Sequence, residues 1–210
     1  MMHRHLAAGL LLGAALLLTS CATPAAPGSA PDAPVGSALG SLWPGPPSGE
    51  VVAQGMVLDT GDSPELCLGA VAESAPPQCS GIPLEGWTWE GVDGAETMSG
   101  QTWGSYAVQG TYDGETFTVT QPPVLLALYD PMKPADPTGG KTGSGTAEEL
   151  QTISDTLPDA LAESYLGSYT DDRGWLWVDV VWDDGTFQDA ADADFGDGKV
   201  VVNSALRAVG

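Results

Sequence analysis

Apolar residues fill the chain from Leu6 to Leu18, thin out until Glu50, and then recur in two different rhythms. Val51-Val52-Ala53-Gln54-Gly55-Met56-Val57-Leu58 is rich in strand-forming residues and predicts a strand closed by the turn Thr60-Gly61-Asp62. Glu65 to Val71 predicts a second strand, Pro76-Pro77 an irregular segment, and Trp87-Thr88-Trp89 a short extended stretch. Trp103 to Tyr112 and Glu115 to Thr120 flank Asp113-Gly114, whose residues tolerate the positive φ of a tight hairpin. Residues 50–130 therefore read as a small all-β unit, a barrel or sandwich of about five strands, with an OB-like barrel among the arrangements allowed.

After a Pro/Gly-rich linker over residues 131–145 the rhythm changes. Thr146-Ala147-Glu148-Glu149 has the form of a capping box, followed by Leu150, Ile153 and Leu157 at helical spacing. Pro158 predicts an interruption, with a second short helix running to Leu166. Trp175 to Trp182 predicts the best strand of the chain, covered on both faces and so apolar throughout, with Trp175 and Trp177 in the core. Asp183-Asp184-Gly185 turns into a helix from Thr186 to Phe195, Gly196 caps it, and Lys199 to Leu206 predicts a last strand. Strand, helix and strand in that compass predict a βαβ-like element over residues 146–210. The fold class is α+β: a disulfide-bearing β unit, then a small α/β unit.

Charge and composition mainly exclude. The net charge is -22, from 28 acidic residues against 6 basic ones. Such a chain repels nucleic-acid phosphates, which call for clustered Lys and Arg, so no nucleic-acid partner is expected. The two histidines, His3 and His5, both lie in the N-terminal segment that reads as a signal peptide. Without histidine, Ser-His-Asp machinery, histidine general bases and the usual zinc or copper ligands are missing from the rest of the chain. Cys67 and Cys79 are expected to pair in an oxidising compartment, rather than to act as a redox couple, which normally uses a closer Cys-x-x-Cys spacing.

Few constellations carry chemistry. Asp192-Ala193-Asp194-Phe195-Gly196-Asp197-Gly198 invites a calcium reading, but an EF-hand frame started at Asp192 puts Gly196, Asp197 and Asn203 at positions that need other residues. Asp171-Asp172 and Asp183-Asp184 suit turns beside glycine. No metal site, cofactor or catalytic residue is assigned. Paired carboxylates remain the acid/base toolkit of the runner-up reading, a carboxylate-dependent extracytoplasmic hydrolase. The tryptophans are the better lead. Trp87 and Trp89 fall on one face of an extended segment and serve either as core or as a candidate binding surface for sugar rings or partner side chains.

Leu18-Thr19-Ser20-Cys21, placed directly after the apolar run, resembles the lipobox of bacterial lipoproteins. The resemblance implies cleavage before Cys21, a diacylglycerol on its sulfur, and a chain held at the outer face of the cytoplasmic membrane without spanning it. Residues 1–20 are then the signal peptide and residues 21–49, rich in Pro, Ala and Gly, a tether that lifts the folded part off the headgroups. Leu42 and Trp43 near its end are expected to pack on the folded part. Through Glu65-Leu66-Cys67-Leu68-Gly69, Pro76-Pro77-Gln78-Cys79-Ser80-Gly81 and Gly110-Thr111-Tyr112-Asp113-Gly114 the chain resembles uncharacterised lipoproteins of GC-rich Gram-positive bacteria, a likeness that implies no activity. The expected function is a non-catalytic binding or interaction module at the cell surface, for a cell-wall glycan or an envelope protein. A structural envelope protein is a further alternative. The chain is too small for the two lobes of a transporter's solute-binding lipoprotein.

Overall fold

The computed structural model describes residues 38–130 and 136–209. The apolar run and Leu18-Thr19-Ser20-Cys21, the stretch that resembles a lipobox, lie outside the described residues. From Ala38 onward these residues belong to one compact unit. Among them, no helix is long and apolar enough to cross a membrane.

The first half is a closed barrel. Its strands are β1 (Val51–Asp59), β2 (Pro64–Cys67), β3 (Ile82–Glu85), β5 (Gln101–Tyr112) and β6 (Phe117–Val119), with β4 (Glu96–Met98) and β7 (Val124–Leu125) attached to β5. The order around the barrel is β1-β2-β3-β6-β5, and β1 closes it by pairing along β5 from Val51↔Gly110 to Asp59↔Thr102. The β3–β6 pair is parallel and the others antiparallel, which is the order of an OB-like barrel. Alternation points Val51, Ala53 and Val57 inward, to meet Leu66, Leu84, Tyr106, Val108 and Phe117. Gly110 sits where β5 crosses between β1 and β6: a Cβ there would overlap the carbonyl oxygen of Thr118 and press on the Phe117 ring. Cys67 and Cys79 form a disulfide, as expected of two cysteines in one β unit. It ties the end of β2 to the irregular segment before β3, a short closed loop for which chain entropy supplies about 3 kcal/mol.

The second half carries α1 (Ala147–Leu161), β8 (Tyr165–Thr170), β9 (Leu176–Val180), α2 (Thr186–Phe195) and β10 (Val200–Ser204). Thr146 and Glu149 make the reciprocal capping box, and Leu150, Ile153, Leu157 and Leu161 form the buried stripe of α1. The helix continues through Pro158, contrary to the expected interruption. Pro158 lies in the last turn and forfeits one hydrogen bond. The buried Leu161 beyond it offsets that loss, since burying a leucine is worth about 1.5–3 kcal/mol. The expected second helix to Leu166 is instead a 3-10 turn, Ala162–Ser164, leading into β8. β8 pairs antiparallel with β9, and β9 pairs parallel with β10 across α2, which is the βαβ element.

Both helices cover the same face of this sheet, so β9 is buried on one side only. Leu176, Val178 and Val180 enter the core beneath α1 and α2. Trp177 lies on the open face, stacked on the exposed Tyr169 at 6.3 Å, with its Nε1 donating to Asp171. Trp175 is half-buried and donates its Nε1 to the carbonyl of Lys141. The expectation that both tryptophans are core residues is therefore corrected: a three-stranded sheet with helices on one face has no second layer to cover them.

Two connections join the halves. Val181 and Leu206 bury into the barrel core, and β11 (Arg207–Ala208) pairs with the start of β1. Residues 38–46, in the segment read as tether, lie along α2. Asp194 accepts the N–H groups of Ala38 at 3.0 Å and Leu39 at 2.9 Å, Leu39 is buried, and Trp43 meets Phe187 edge-on at 5.7 Å. Gly45 donates to Asp184 and accepts from Trp182 Nε1. Gly143 and Ser144, in the segment read as linker, donate their N–H groups to the carbonyls of Arg173 and Gly198.

Candidate functional site

Both tryptophans singled out from the sequence sit on the loop leaving β3, and the packing separates their roles. Trp89 meets Trp87 edge-to-face at 5.2 Å and Tyr106 at 6.3 Å, and its Nε1 donates to Asp59 Oδ2 at 3.0 Å. Trp89 is a plug against the barrel core. Trp87 also packs on Tyr106, at 5.2 Å, yet it walls a cavity of about 570 Å³. Pro122, Pro123, Leu125 and Leu128, the last 80% exposed, also line it. Glu90, Asp93 and Gln121 supply polar groups to the lining. Among the described residues the buried Trp87 indole N–H meets no hydrogen-bond partner, and its ring is held by packing on Trp89 and Tyr106.

The floor of this cavity is braced from behind. Glu50 accepts from Thr120 and Gln109, which fastens the exit of β6 to the start of β1. Those bonds, Thr120 first, hold the Glu50 carboxyl below its ordinary range. Tyr106 donates its hydroxyl to the carbonyl of Asp93, and burial pushes its phenol up.

A second hollow, about 830 Å³, lies between the β2–β3 surface and the Ala162–Leu166 segment. Leu66, Leu68 and Ile82 line it from the barrel, Tyr165 from the start of β8 and Trp43 from the strap along α2. Glu115 on the β5–β6 turn and Glu163 on the 3-10 turn bring two carboxylates to one cleft. An annex of about 150 Å³ continues past Trp43 to Pro46 and Trp182. No sequence signal marks this site. Trp43, the Tyr112–Glu115 turn and Glu163 come from separate segments and meet only in the folded chain.

Tyr112 borders both the cleft and its annex. Its hydroxyl donates to the Gly114 carbonyl at 2.7 Å, and its pKa is pushed up to about 12, by burial first and then by Asp113, Glu115 and Glu163. A phenol raised in the folded state contributes its full stabilisation below the ordinary value of 10.0 and loses it as pH climbs through about 12. In an ultraviolet titration of phenolate, a late step near pH 12 is therefore expected, absent in Tyr112→Phe. A late step that survives this substitution would assign it elsewhere.

No protein-family model, no curated protein and no solved structure matches this chain.

What the arrangement can do chemically follows from its geometry. Glu115 and Glu163 are both exposed, whereas a carboxylic general acid working at neutral pH needs burial. The cleft is better suited to holding a charge than to moving a proton. Among the described residues no three His, Cys, Asp or Glu side chains are grouped to hold a metal ion. The aspartates are taken up by protein donors instead: Asp171 accepts from Arg173, Trp175 and Trp177, Asp183 from Phe187 and Gln188, and Asp194, in the last turn of α2, from the distant Ala38 and Leu39.

Proposed function

We propose that this chain is a lipid-anchored binding module on the outer face of the cytoplasmic membrane, and that Trp87 presents its ring to a cell-wall glycan. The observation that carries the reading is the cavity of about 570 Å³ with an indole on one wall and carboxylates and an amide in its lining. Sugar rings offer C–H faces to an aromatic plane and hydroxyls to such polar groups, and an indole gives large contact area at small entropic cost. Anchoring through Cys21 rests on the lipobox resemblance. Each buried methylene of the lipid adds about 0.8 kcal/mol of membrane affinity.

One experiment tests both halves. The full chain is expressed in a Gram-positive host, fractionated, and the membrane-bound protein, solubilised in non-ionic detergent, is passed over insoluble cell-wall glycan. The expected result is membrane retention that Cys21→Ser abolishes, and glycan retention that Trp87→Ala reduces about tenfold or more. A melting curve guards against simple unfolding, and Trp89→Phe, altering the plug, serves as the companion. A Cys21→Ser chain that stays with the membrane overturns the anchor. A folded Trp87→Ala protein that binds glycan as before overturns the site.

A further inference from the structure

We propose that the cleft between the barrel and the Ala162–Leu166 segment binds an organic ammonium, a positively charged nitrogen carried on an apolar body. This site is separate from the Trp87 cavity and does not depend on the glycan reading.

Three features select that ligand class. The first is sign. Glu115 and Glu163 line the cleft, and among the described residues no lysine or arginine lines it or its annex. Anions and phosphates are refused. The second is the floor. The Leu66, Leu68 and Ile82 side chains carry no oxygen to replace the hydration shell of a small metal ion, which calls for six or more oxygen ligands, and Glu115 and Glu163 by themselves fall short of that number. An alkylated nitrogen carries its charge without that demand. The third is the aromatic wall. Trp43 borders both the cleft and the annex, is 51% exposed, and is held by its edge contact with Phe187. Indole is the best cation–π partner among side chains, and aromatic rings combined with carboxylates are a general solution for ammonium recognition.

The local field agrees. Glu163 and Glu115 both act on the Tyr112 phenol, so the two carboxylates converge on the region where that ring borders the cleft. Trp43 is also pre-positioned, because Asp184 and Trp182 clasp Gly45 two residues along the strap. Little ordering remains to be done on binding, which favours affinity.

Titration of the full chain in non-ionic detergent with choline, followed by tryptophan fluorescence and proton NMR, tests the proposal. Saturable binding is expected, with the neutral isostere 3,3-dimethylbutanol about tenfold weaker. Glu115→Gln and Glu163→Gln should each weaken choline about threefold or more, and Trp43→Ala about tenfold, while Trp43→Phe recovers part of the loss. Glu96→Gln, on β4 and outside the cleft, should change nothing. Butylammonium in place of choline separates two sources: tighter choline indicates a quaternary headgroup, tighter butylammonium a lysine-like amine, and either supports the proposal. Equal binding of choline and its neutral isostere overturns it. So does a loss on Glu96→Gln as large as on Glu115→Gln, which would mean only the diffuse field of an acidic protein. Absence of saturable binding overturns it outright.

Discussion

Gly110→Val is expected to leave no cooperatively folded barrel. Gly110 pairs with Val51 on one side and Val119 on the other, at the crossing where β5 closes against both β1 and β6. A Cβ at this position would overlap a backbone carbonyl, that of Thr118, and a carbonyl in a paired strand cannot rotate away as a flexible side chain does. Relief requires separating β6 from β5, which also withdraws the fully buried Phe117 from the core. The cost should exceed about 4 kcal/mol, a large share of the 5–15 kcal/mol that holds an ordinary domain. Urea unfolding with near-ultraviolet circular dichroism measures it. A variant that melts cooperatively within a few degrees of the parent would mean that the strands part more easily than the pairing implies.

Phe187→Ala carries the next largest expected effect. Phe187 is fully buried in the first turn of α2 and supports the edge of Trp43. Truncating a buried phenylalanine costs about 3–5 kcal/mol. For a domain of this size that corresponds to a fall in Tm of roughly 10 °C. The strap should respond as well, because Trp43 loses its seat while the Asp194 bonds to Ala38 and Leu39 remain. Limited proteolysis should then cut residues 40–46 faster than in the parent. A destabilised protein with an unchanged cutting rate there would show that Asp194 and Leu39 hold the strap alone.

Much of the fold was legible in the chain because the signals were local. Asp113-Gly114 marked the β5–β6 hairpin, although only Gly114 takes the positive φ expected of both, and Asp113 instead holds the loop by accepting the N–H groups of Glu115 and Thr116. Thr146 and Glu149 announced the start of α1 by chemistry confined to one turn. The β9–α2–β10 unit showed as a change of period within a short span. The disulfide followed from two cysteines in one β unit. Failures came where a distant partner decided. Nothing near Pro158 tells the chain that Leu161 will find a buried seat, and nothing in Tyr165–Thr170 announces that β9 will accept it as a neighbour. Trp175 and Trp177 look like core on an apolar strand, and only the placement of both helices on one face leaves them out.

The site divides in the same way. Trp87 and Trp89 stand out in the sequence as a pair, but their different jobs depend on Tyr106 and Asp59, which arrive from other strands. The ammonium cleft was illegible. Its residues are an aromatic on the strap, a tyrosine and a glutamate around the β5–β6 turn, and a glutamate on the 3-10 turn, none unusual where it stands. The sequence by itself determined the acidity, the absence of histidine after His5, the strand and helix periods and the turn chemistry, because each depends on composition or on residues within one turn of one another. Only the tertiary structure decided which strands close the barrel, which faces stay open and which side chains share a cavity. Those outcomes depend on contacts between segments far apart in the chain, whose pairing is settled by the packing of the whole rather than by any local preference.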